Sequence, residues 1–208
     1  MTITFLIRDA LESDLEACAG IDHRYETDYV WQMSVAETTG ERQVMFKTER
    51  LPRTMEVAYP CDIDRLSLSL ADDECFLVAV TRTVMLPTPR GKDDIEDEYD
   101  DEHLDTAVTE ETVLGYLTMR RDTLHHSALV HEIVVARGLR RHRIATRLLK
   151  AARRWAQEYD LLQMTIETQT KNYPAILFCQ QAGFTFCGFN DHYFPNQDIA
   201  LFFSQSLR

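Results

Sequence analysis

No stretch of this 208-residue sequence approaches the ~20 consecutive apolar residues that a membrane-spanning helix needs. Residues Met1 to Arg8 alternate in the manner of a strand, with no basic opening and no small-residue cleavage site, so a secretory leader is not expected. Cysteine is sparse: Cys18, Cys61, Cys75, Cys179 and Cys187 are odd in number, far apart and form no Cys-x-x-Cys pair. That spacing argues against a disulfide framework and against a structural zinc site, and it fits a protein of the reducing cytoplasm with buried free thiols. The histidines at 125, 126, 131 and 142 have no second cluster at ligand spacing, so no metal is expected. Positive charge has no surplus either. The formal net charge is −12, which makes nucleic acid a poor partner. No internal repeat is present.

The acidity is concentrated rather than general. Residues 93–111 hold eleven Asp and Glu and no Lys or Arg, leaving a net charge of −1 for everything else. Like charges repel and few apolar residues offset the ordering entropy there, so residues 93–111 are expected to be an acidic mobile loop between two strands. Such a loop is either a plain solvated connection or a collector for a cationic substrate. The 45% hydrophobic content supports a sizeable core, and residues 1–208 are expected to form one domain.

Periodicity gives the element order. Thr2 to Ile7 reads as a strand, followed by a helix that Ser13 would cap. Tyr29 to Val35 and Arg42 to Thr48 alternate around Thr39-Gly40 and suggest a hairpin, with Pro52 and Pro60 marking irregular chain beyond it. A helix is expected over Asp62 to Leu70, and strands over Cys75 to Val84 and Thr112 to Arg120. The run Leu129 to Ala136 is strongly β-like. A turn at Arg137-Gly138 precedes a helix from Ile144 to about Tyr159. Leu162 to Thr168 is the next strand, and Tyr173 to Gln181 a helix with Pro174 in its first turn and Gly183 at its stop. Phe184 to Phe194 and Asp198 to Phe203 close the chain as paired strands.

The stretch that carries chemistry is the strand Val130 to Ala136, the basic loop Arg140-Arg141-His142-Arg143, and the start of the helix at Ile144-Ala145-Thr146. The first amides of a helix have no acceptor within it, and the helix dipole adds positive potential, so this end can hold a pyrophosphate. Read without its neighbours, the basic loop is more often a solvated surface. Its order with the segments that follow resembles the core of the GNAT superfamily of N-acetyltransferases. The family's Gln/Arg-x-x-Gly-x-Gly/Ala loop corresponds to Arg140 through Ala145, with Arg143 in place of the central glycine. Its Asn-x-x-Ala signature corresponds to Asn172-Tyr-Pro-Ala175, running through Phe178 to Gly183-Phe184. Within the superfamily, Ile166-Glu-Thr-Gln169 and Phe194-Pro-Asn-Gln-Asp-Ile-Ala200 are similar to streptothricin acetyltransferases.

The resemblance implies an α/β (α+β) fold: a central mixed, mostly antiparallel, twisted sheet flanked by helices and splayed at the cofactor site. It implies acetyl-CoA as cosubstrate, with no metal. Its diphosphate would meet Arg140, Arg141, His142, Arg143, Ile144, Ala145 and Thr146. Its pantetheine would pair with the backbone of Ile133, Val134 and Val135, and Asn172, Ala175 and Phe178 would complete the site. Glu132 is the candidate base, with a surface or salt-bridging role as its rival. Cys179 stands where many relatives carry a tyrosine as general acid, although a cysteine there is more often a packing thiol; Tyr193 and Tyr29 are substitute donors. Tyr29 and Trp31 are candidate acceptor contacts. The implied partner is an amine-bearing cationic small molecule, in a monomer or a homodimer. A protein or peptide N-acetyltransferase and a non-catalytic acyl-CoA sensor are the alternatives.

Overall fold

The computed structural model describes residues 4–59, 63–71, 74–85 and 108–208. Among the described residues, nine strands and four α-helices occur in the order β1 (Leu6–Asp9), α1 (Leu15–Ala19), β2 (Arg24–Thr38), β3 (Glu41–Ala58), α2 (Ile63–Ala71), β4 (Cys75–Met85), β5 (Val108–Asp122), β6 (Ser127–Val135), α3 (Ile144–Glu158), β7 (Gln163–Gln169), α4 (Tyr173–Gln181), β8 (Thr185–Asn190) and β9 (Ala200–Ser206). Seven strands make one sheet, ordered β1-β4-β5-β6-β7-β9-β8, and β2 and β3 form a separate ribbon. Every pairing in the sheet is antiparallel except β6 with β7. Parallel neighbours need a crossover, and α3 supplies it.

Each face of the sheet carries its own core. Ile144, Leu148 and Ala152 of α3 and Ile176 of α4 pack with Ala128, Val130 and Met164 on one side. Cys18 of α1 and Leu66 of α2 pack with Val78, Tyr116 and Val134 on the other. Full burial of each large aliphatic side chain contributes roughly 1.5–3 kcal/mol, which makes the apolar face of α3 the main anchor of the loop before it.

Several expectations need correction. Ser13 does not cap α1: Asp14 holds the N-cap position, and its carboxylate instead accepts from the Leu11 amide at 2.8 Å and from Arg8. The ribbon is longer than the expected hairpin, and Pro52 lies inside β3. Its position is tolerated because the register jumps from Thr27↔Met55 to Tyr29↔Arg50, so residues 51–54 leave the ladder where Pro52 has no hydrogen to donate. The end of the acidic run is strand rather than loop, since Val108 to Glu111 belong to β5 and pair with β4; its remainder lies outside the described residues.

β6 carries the feature that shapes the site. It pairs with β7 only from Ser127↔Gln163 to Val130↔Ile166 and then diverges. At that point the register with β5 skips from Glu132 to Val130, so His131 is an extra residue, a β-bulge. Strict alternation would place Val130, Glu132 and Val134 on one face. The bulge reverses the parity, and Val130 and Val134 belong to cores on opposite sides of the sheet. Glu132 thereby joins the side of Tyr116.

Candidate active site

The divergence of β6 from β7 opens a cleft of about 740 Å³, lined by β2, β6, β7, the loop before α3, and α4. Its two ends differ in chemistry. At one end, Arg141 and Arg143 hold left-handed backbone conformations, with φ of 70° and 62°. For an L-residue that geometry costs about 1–2 kcal/mol, and Arg143 adopts it where the family's loop carries glycine. Left-handed residues ahead of a helix turn successive amides toward a common centre, which makes an anion-binding nest. Arg147 is the residue of α3 whose amide bonds back to Arg143, at 3.0 Å, so the amides of Ile144, Ala145 and Thr146 lie in the open first turn. The arginine side chains divide their roles. Arg141 and Arg143 are exposed. Arg140 is held inward: its Nε donates to the Val135 carbonyl at 3.2 Å and its guanidinium reaches the Arg24 carbonyl at 2.7 Å. Burial lowers its pKa from the ordinary guanidinium range. His142 turns away from the cleft, its Nδ1 on the carbonyls of Arg140 and Leu139.

The edge of β6 offers hydrogen-bonding groups on alternate residues only. Ala136 N–H bonds Leu114 O in β5 at 2.9 Å, and the Val134 carbonyl crowds Gly115, where an added Cβ would lie 2.5 Å from it. Val134 thus spends its backbone groups on β5, those of Ile133 face the gap, and Val135 offers its N–H there while its carbonyl is held by Arg140. Of the three residues expected to pair with pantetheine, Val134 does not have the right orientation.

At the other end, two carboxylates are buried where the strands part. Glu132 is 5% exposed and Glu167, on β7, 6%. Burial raises the pKa of Glu132, opposed by the Tyr116 hydroxyl, which donates to its Oε2 at 3.0 Å, and by the positive charge of Arg65. Glu167 is more heavily engaged: Tyr193 donates to it at 2.7 Å, and Arg65 lies 3.9 Å away. His131 Nδ1, buried and without a hydrogen bond among the described residues, is 3.5 Å from Glu167 Oε1, in a geometry too poor for a bond. Tyr59 lies beside both carboxylates, and Asp28 also lines the cleft.

The candidate donors are placed unevenly. Cys179 is 1% exposed, and burial pushes its thiol up to about 12. Passing a proton from a group near 12 to a thiolate whose ordinary value is about 8.5 runs uphill by roughly 5 kcal/mol, so its environment suits packing. Tyr193 is pushed up to about 12 by burial and by its bond to Glu167, which already holds its proton. Tyr29 lines the cleft beside Tyr173, with ring centroids 5.3 Å apart. Trp31 does not line it. Its ring packs among Phe46, Phe186 and Phe203, where it ties the ribbon to the sheet. Asn172 caps α4 through Oδ1 on the Ala175 amide at 3.1 Å, and with Ala175 and Phe178 it forms the α4 wall. Glu167, Tyr59, Tyr116 and His23 were not singled out from sequence. Only Glu167, within Ile166 to Gln169, lay in a motif already noted.

A strand splayed from its parallel neighbour beside a nest at a helix N-terminus defines an acyl-CoA-type site, and the family comparison agrees. Residues 69–184 match the acetyltransferase (GNAT) family, to which the chain belongs. A streptothricin acetyltransferase of Escherichia coli is 33% identical over 110 residues, an alignment that spans 52% of this chain and 61% of that protein's length. Nourseothricin acetyltransferase superposes with a TM-score of 0.71 at 19% identity, over 98% of this chain and 99% of its own. A Bacillus anthracis str. Ames protein, named as a candidate streptothricin acetyltransferase and solved in complex with acetyl coenzyme A, gives 0.65 at 18% identity over 98% and 99%. These two structural likenesses speak to the fold.

Proposed function

We propose that the chain transfers the acetyl group of acetyl-CoA to a primary amine of a cationic small molecule, with a streptothricin-type antibiotic as the first substrate to test. The observation that carries this reading is the pairing of two buried carboxylates, Glu132 and Glu167, with an amide nest at the opposite end of one cleft. The residues fit the cosubstrate. The amides of the first turn of α3 suit a diphosphate, and the edge of β6 at Ile133 and the Val135 N–H suits the amides of an extended pantetheine, as an added strand would.

The amine nitrogen would bond to the thioester carbon as the C–S bond breaks, CoA would leave as a thiolate that takes a proton from water, and the remaining work falls to the chain. An amide on the open edge of β6 donates to the thioester oxygen as negative charge develops on it. Glu132 takes the proton that the amine must lose, a role suited to a carboxylate raised by burial toward the working pH. Glu167 is held by Tyr193 and Arg65 and supplies negative charge that orients a cationic acceptor rather than accepting its proton. Asp28, exposed in the lining of the cleft, adds to the attraction.

Release of free thiol from acetyl-CoA, measured with streptothricin-type and aminoglycoside compounds, polyamines and peptides, tests the reading. Turnover is expected with the cationic small molecules and not with peptides. Tight CoA binding without turnover on any amine would replace it with a sensing role.

A further inference from the structure

Glu132 is the end of a three-residue chain. Tyr116, fully buried on β5, lies with its hydroxyl 3.0 Å from Glu132 Oε2 and 2.8 Å from Nε2 of His23. His23 precedes β2, is half-buried and lines the same cleft. A tyrosine hydroxyl has one proton and can donate to only one of two such neighbours at a time. With Nδ1–H of His23 given to the Ile21 backbone, Nε2 of the neutral imidazole can only accept, so both bonds exist together only when the chain holds one more proton. If that proton is on His23, Nε2–H donates to the Tyr116 oxygen and Tyr116 donates to ionised Glu132. If it is on Glu132, the carboxylic acid donates to Tyr116, and Tyr116 donates to neutral His23. The two arrangements contain the same atoms and differ by one proton shift across each bond.

We propose that His23, acting through Tyr116, is a positioning residue that draws off the proton Glu132 takes from the acceptor amine. The inference rests on the reading of Glu132 as the base. In the step, an N–H bond of the amine breaks as an O–H bond forms on Glu132. That proton passes to the Tyr116 oxygen as the Tyr116 proton passes to Nε2 of His23, and the imidazolium gives a proton to water at the cleft. Glu132 is then ionised for the next turnover, which burial would otherwise retard.

The surroundings bring the two ends toward balance. Burial raises Glu132, which is faced by Arg65 from α2, His131 on its own strand and Glu167 from β7. Burial lowers His23, opposed by a hydrogen bond to the Ile21 backbone and by Asp22, with Arg140 adding to the lowering. A shared proton moves easily between groups whose affinities approach each other.

The test uses the full chain and three variants. His23→Gln retains a side-chain donor for Tyr116 but cannot titrate. In it, kcat is expected to fall at least tenfold and to recover with added imidazole buffer, while the Kd for acetyl-CoA stays within twofold. Unchanged kcat and pH profile in His23→Gln, with the wild type active, would overturn the relay and leave the proposed function standing. A wild type inactive on every amine would fail the function instead, and the linkage is then read without turnover. By NMR, the His23 ring titration is expected to drop by about one pH unit in Glu132→Gln, and Glu132→Gln is expected to leave it unmoved once Tyr116 is Phe. A His23 titration indifferent to Glu132 in the wild-type background would overturn the proposal.

Discussion

Arg140 Nε lies 3.2 Å from the carbonyl oxygen of Val135, so the first basic residue of the loop holds the end of β6 instead of projecting to solvent. Its second contact, to the Arg24 carbonyl, ties the same point to β2. A lysine has one point of charge in place of this fork and cannot serve both. Arg140→Lys is therefore expected to lower thermal stability and weaken acetyl-CoA binding together, and the exposed Arg141→Ala to weaken binding with little change in Tm. Calorimetric melting and titration of both variants check this; a stable Arg140→Lys would contradict it.

Arg143 stands at a left-handed φ of 62° where side chains are strained. Arg143→Gly is expected to be at least as stable as the wild type, the relief of strain offsetting glycine's extra chain entropy. Arg143→Val places a β-branched residue in the same conformation and is expected to lose about 1–3 kcal/mol. Denaturant midpoints at constant m-value separate the two.

Gly115 leaves room for the Val134 carbonyl, which an added Cβ would meet at 2.5 Å. The obstacle is backbone on both sides, so β5 and β6 must separate. Gly115→Ala is expected to destabilise by about 1–3 kcal/mol and to lower turnover by shifting Glu132 against Tyr116. A variant with wild-type Tm and kcat would show that the strands yield freely.

Much of this arrangement was legible in the sequence, for identifiable reasons. Tyr173 to Gln181 was bounded by Asn172, Pro174 and Gly183, and its limits coincide with α4. The apolar positions of α3 at Ile144, Leu148 and Ala152 are buried, as their spacing required. Signals failed where the outcome depended on distant partners. The ribbon of β2 and β3 exposes residues on both faces, so beyond Tyr29 to Val35 and Arg42 to Thr48 no alternation marked its full length. The bulge at His131 depends on a register with β5 that no local pattern records. Tyr116 and His23 are 16 and 109 positions from Glu132, and only the fold unites them. Trp31 looked like a cleft aromatic, but three phenylalanines from other strands claim it.

Arg8 joins the edge of the sheet to its surroundings by donating to Asp14 at 2.6 Å and to Glu111 at 2.7 Å. Burial pushes Asp14 up, but the Arg8 hydrogen bond, the Leu11 amide and the Arg8 charge together hold it below its ordinary value. A depressed carboxylate stabilises the fold above its unfolded pKa, near 3.8, and loses that contribution as pH falls through the lower folded value. Arg8→Met is expected to lose about 2 kcal/mol at pH 7, and the difference from wild type should shrink on acidification below pH ~4. Parallel denaturation series at both pH values test the sign.

Glu132 has the opposite linkage. Its raised pKa means that the folded state keeps the proton to higher pH, so its contribution to stability is present in acid and is lost as pH rises through the folded value. Glu132→Gln keeps an acceptor for Tyr116 without the buried charge. It is expected to match or exceed wild-type stability at pH 8, the margin growing with pH, while activity falls. A variant less stable at pH 8 than at pH 5, relative to wild type, would reverse the assignment.

The account is tested most directly by thiol release from acetyl-CoA with a streptothricin-type amine, comparing wild type and Glu132→Gln from pH 5.5 to 9. Wild type is expected to release one thiol per acetylated amine, with kcat/KM rising through the raised Glu132 value. The variant should lose about 10²–10⁴-fold in kcat and bind acetyl-CoA unchanged. Equal turnover and equal pH profiles in the two proteins would contradict the account.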